Sequence, residues 1–151
     1  MSKILYRGVT VSYQEKNQWV FGVVTVLSFT VYALIILSRA QDVPLVEVAY
    51  AWPMVWTVIA AILANIILMI IVSVATRDRG QKDERDQEIN RRGEQIGMSM
   101  VVVGSVGALI MSMLELEYFW IANVIYLCFV LSALLGTVAK LVAYRRGFVG
   151  W

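Results

Sequence analysis

The stretch VAYAWPMVWTVIAAILANIILMIIVSVAT, residues 48–76, decides the fold, because it runs without one charged side chain. A helix rises about 1.5 Å per residue and a bilayer presents about 30 Å of hydrocarbon, so about 20 apolar residues cross it. Three more uncharged runs accompany it, at residues 17–38, 95–114 and 118–139. The predicted architecture is therefore all-α: a polytopic membrane protein of four transmembrane helices near residues 17–38, 53–76, 95–114 and 118–142. They form a single domain over residues 1–151, and the chain outside them is too short for a separate soluble domain.

Composition points the same way. The 151 residues are 60% hydrophobic and 16% charged, where a soluble domain has about 45–50% apolar and about 25% charged residues. There is no histidine and one cysteine, Cys128. Within this chain that excludes paired-His haem ligation, His-containing zinc sites, His general bases, an internal disulfide and CxxC chemistry. No nucleophile stands beside a base, and neither a phosphate-binding glycine loop nor clustered metal ligands is present in the pattern. The reading is non-enzymatic, with no catalytic, cofactor or metal residues assigned.

Sidedness follows from the basic residues, which fall in three regions: Lys3 to Lys16, Arg77 to Arg92, and Lys140 to Arg146. The remaining two loops contain only Arg39 and are otherwise acidic, with Asp42, Glu47, Glu115 and Glu117. The positive-inside rule then puts both termini in the cytoplasm, as expected of a multi-pass protein of the inner (cytoplasmic) membrane. The first run ends in Ser38-Arg39-Ala40, which resembles a signal-peptidase site, but it exceeds the about 7–15 residues of a signal core and reads as a retained span. Ser12-Tyr13-Gln14-Glu15 matches a capping box at its start. Trp52-Pro53 marks the start of the second helix, since proline is tolerated in a first turn. The short turn around Glu115-Leu116-Glu117 forces the last two helices into an antiparallel hairpin.

The densest charge lies in RDRGQKDERDQEINRRGEQIG, residues 77–97. Gly80 can end the second helix. From Lys82 the pattern predicts a helical extension of the third span, projecting about 20 Å into the cytoplasm. Glu88 with Arg92, Arg85 with Glu88, and Arg91 with Glu94 have the spacing of helical ion pairs. Acidic and basic residues balance, so the segment is not a polybasic patch, and no direct nucleic-acid binding is expected. One reading is a solvated helix laced with weak ion pairs. The other is a docking surface for a cytoplasmic regulatory protein, carried by Asp83, Glu84, Arg85, Asp86, Glu88, Arg91 and Arg92. A divalent-cation site among the four acidic ones is opposed by the interleaved arginines.

Inside the spans, Asn65 and Asn123 are candidate intramembrane polar contacts. Each needs a hydrogen-bond partner, and an interhelical bond is favoured over a transport path. No carboxylate lies deep in a span, which argues against proton-coupled export. Small residues recur at four-residue spacing in Ala60/Ala64, Gly93/Gly97, Gly104/Ala108 and Ser132/Gly136. Such pairs let helices approach closely, within one chain or across a homo-oligomer.

Three stretches, Lys82 to Glu94 (KDERDQEINRRGE), Phe119 to Tyr126 (FWIANVIY) and Tyr144 to Phe148 (YRRGF), resemble a group of small, uncharacterised prokaryotic four-helix inner-membrane proteins with a DERD-type cytoplasmic stretch before the third helix. The resemblance covers mainly the second half of the chain. It implies a bacterial inner-membrane protein, often encoded beside small helix-turn-helix regulators, and brings no activity with it. The expected function is thus an integral membrane protein presenting a charged cytoplasmic helix for protein interaction or regulation. A small oligomeric channel or transporter, or an accessory subunit of a larger membrane complex, is the alternative.

Overall fold

The computed structural model describes residues 13–76 and 84–146 and is all-α. Four helices carry the fold: α1 (Tyr13–Arg39), α2 (Ala51–Thr76), α3 (Glu84–Met113) and α4 (Tyr118–Arg146). All four are long and apolar enough to cross a membrane. Large apolar side chains such as Leu34, Ile70, Val103 and Leu109 point outward and stay exposed, which suits lipid as the surrounding solvent. The chain has the build of a multi-pass membrane protein.

Helices rather than other elements form here because hydrocarbon offers backbone groups no partner, and a helix satisfies them internally. Polar side chains within the spans follow the same logic. Thr25 donates to the Phe21 carbonyl, Thr30 to Val26 and Ser105 to Val101, each at 2.8 Å. Each hydroxyl is thereby used within its own helix.

Cross-helix neighbours run in opposite sequence directions, as in Glu15 with Arg145 and Tyr32 with Asn123. The helices therefore alternate in direction, with residues 13, 76, 84 and 146 at one end and the two short connections at the other. The principal packing order is α2–α1–α4–α3, so α1 and α4 form the centre and α2 and α3 the flanks.

The connection from α1 to α2 passes Pro44 into a single 3-10 turn, Leu45–Glu47, and buries Val48. Arg39 donates to the Ala49 carbonyl at 2.9 Å and closes this loop. Pro53 sits in the first turn of α2, where its missing N–H costs nothing. The α3–α4 turn is a Schellman cap. Leu116 N–H reaches the Met111 carbonyl and Glu115 N–H the Ser112 carbonyl, both at 3.1 Å. Glu115 takes the left-handed position, φ 54°, where glycine is the commoner choice.

The connection end is packed with rings. Tyr32, Ile36, Val48 and Phe119 form a buried cluster. Tyr126 stands edge-on to Tyr32 with centroids 4.9 Å apart, and Tyr50 edge-on to Phe119 at 5.4 Å. Edge-to-face geometry sets the positive ring edge against a negative face.

The α3–α4 seam is closer still. A Cβ at Gly97 would stand 2.8 Å from the Ser132 carbonyl oxygen, and one at Gly136 would stand 3.1 Å from the Gly93 carbonyl oxygen. Cys128 fills the space over Gly104, and the Lys140 stem fills that over Gly93. The Gly93/Gly97 and Ser132/Gly136 spacings are thus matched to each other within one chain. Ala60 of the Ala60/Ala64 pair is exposed.

Candidate functional site

The charged stretch enters the structure as the first three turns of α3 and runs alongside the end of α4. Its face is set by the spacing Asp86, Ile89, Gly93, Gly97, which returns to one side of a 3.6-residue helix. Ile89 is 1% exposed, and Gly93 and Gly97 are buried with it. Opposite them α4 brings Lys140 and Tyr144. The Tyr144 hydroxyl donates to the Asp86 carboxylate, and Lys140 Nζ lies 4.0 Å from Glu94 Oε1. α4 continues past residue 142, the expected end of its span, to Arg146. The α3 stretch is therefore half of a helix pair.

This divides the candidate docking residues. Glu84, Arg85, Glu88 and Arg91 are exposed, whereas Asp86 and Arg92 are half-buried. Asp83 and the start of the extension at Lys82 lie outside the described residues. Of the anticipated ion pairs, Glu88 with Arg92 forms at 2.7 Å. Glu94 instead accepts a 2.8 Å hydrogen bond from Asn90 and faces Lys140.

The start of α1 completes this end. Arg145 Nε donates to Glu15 Oε1 at 3.3 Å, and its guanidinium lies 5.8 Å from the Trp19 ring centroid. The capping box expected at Glu15 depends on Ser12, which lies outside the described residues.

The two intramembrane asparagines differ. Asn123 accepts a 2.6 Å bond from the Tyr32 hydroxyl and donates to the Phe119 carbonyl at 2.8 Å. It joins α4 to α1 as an interhelical contact. Asn65 donates to the Ala61 carbonyl of its own helix at 3.1 Å, and its Oδ1 has no partner among the described residues. No interhelical bond from Asn65 is seen among the described residues. Tyr32→Phe removes the hydroxyl that donates to Asn123 Oδ1 and is expected to cost about 1 kcal/mol, the scale of such bonds in membranes. Denaturant unfolding in detergent checks this, and a double-mutant cycle with Asn123→Val should recover most of the loss as coupling.

Beside α1 and α4 the flanking helices leave a groove. Its larger cavity, about 570 Å³, lies toward the charged end between Asn17, Met69, Met98 and Thr137. A second, about 450 Å³, lies deeper beside Asn65 and Thr25. Phe21 and Phe129 line both. Among the described residues Asn17 Oδ1, Thr137 Oγ1 and Asn65 Oδ1 are buried without hydrogen-bond partners, and all three residues line these cavities. Sequence reading passed over Asn17 and Thr137, since polar residues near a span boundary ordinarily meet water or headgroups.

Compared with family models, curated proteins and solved structures, the chain has no match.

Proposed function

We propose that this is a non-catalytic protein of a bacterial inner membrane, with both termini in the cytoplasm, whose α3 extension is a docking surface for a cytoplasmic regulatory protein. The observation that carries this reading is the two-sided character of the first turns of α3. Ile89 is fully buried on one side, while two negative charges, Glu84 and Glu88, and one positive charge, Arg91, line the other. A helix held on its inner face presents its outer charges in a fixed register, and fixed charge patterns select partners. The cluster of basic residues at this end supports the cytoplasmic assignment. A channel or transporter draws less support: Asn123 is engaged with Tyr32, and packed rings fill the connection end.

The test compares co-purified proteins from cells carrying wild type and a variant neutralised at Glu84, Glu88 and Arg91. A specific cytoplasmic protein should fall by about tenfold or more in the variant, given about 1 kcal/mol per charge lost. A cysteine at Gln87, in a background lacking Cys128, should stay shielded from an impermeant thiol reagent outside the cell. Identical partner lists would sink the docking reading, and labelling from outside would reverse the orientation.

A further inference from the structure

We draw no further inference here: the strongest candidate, the groove that the α2 and α3 flanks leave beside α1 and α4, offers a mainly apolar wall whose buried Asn17, Thr137 and Asn65 side-chain oxygens have no reachable surface, and nothing in the structure shows what covers it.

Discussion

Gly97→Leu destabilises the protein by about 2–3 kcal/mol, the cost of overpacking a closed seam, while Gly107→Leu on the same helix changes stability little. The difference lies in what each new side chain meets. A Cβ at Gly97 would stand 2.8 Å from the Ser132 carbonyl oxygen and 3.2 Å from Ser132 Oγ. The first of these is backbone in the middle of α4 and cannot swing aside. Relief requires the two helices to part along their length, which also loosens the fits of Gly136 on Gly93 and of Cys128 over Gly104. At Gly107 a Cβ would meet nothing within 4 Å. The same comparison separates an intramolecular seam from a general intolerance of large residues in α3. Denaturant unfolding of the two variants in mixed micelles, followed by helical circular dichroism, decides it. Equal losses would show that the seam does not depend on Gly97.

Gly104→Leu should be about as costly as Gly97→Leu, because the first atom it crowds is the Cys128 Cβ, which is fixed to the α4 backbone and cannot rotate aside. Both glycines are conspicuous in the sequence as small residues at four-residue spacing. Spacing identifies a face that can approach another helix, and nothing in it distinguishes backbone from side chain on the opposing surface. This limits what hydropathy and motif reading supply. The four spans were legible because bilayer thickness imposes their length and lipid removes their charges. The α3–α4 hairpin was legible from the brevity of Glu115-Leu116-Glu117. The packing order was not, since α1 and α4 are as apolar around their circumference as the flanking helices. Asn65 and Asn123 look alike as single amides in apolar runs, and only the position of Tyr32 across the α1–α4 contact separates them. Asn17 reads as a boundary residue until α1 and α4 are placed around it. Ile89 did carry a signal: it is the one large apolar residue between Arg77 and Gln95, and it stands four residues before Gly93 and eight before Gly97. That spacing continues the seam into the charged stretch.

Ile89→Asp should release the first turns of α3 from α4 while leaving the membrane spans assembled. Ile89 is the most buried side chain of its stretch, at 1% exposure. A carboxylate there would sit one turn from the Asp86 carboxylate, on the face turned toward Tyr144. Burying a second negative charge beside the first, in place of an apolar side chain, is expected to cost about 3 kcal/mol. Opening the helix pair avoids most of that cost, because residues 84–93 regain water while Gly97 and the apolar turns beyond it stay packed. The population of the opened pair should rise by about 100-fold, the factor equivalent to about 3 kcal/mol. Trypsin reports it, since proteolysis follows the opened fraction and Arg85, Arg91 and Arg92 flank the position. Cleavage should accelerate by a similar factor in detergent, and Ile89→Leu should remain near the wild-type rate. Bulk unfolding of the spans should change little. Wild-type resistance in Ile89→Asp would mean that this stretch is not anchored through Ile89. The docking reading depends on that anchor, because the outward charges hold a fixed register only while the inner face stays shut.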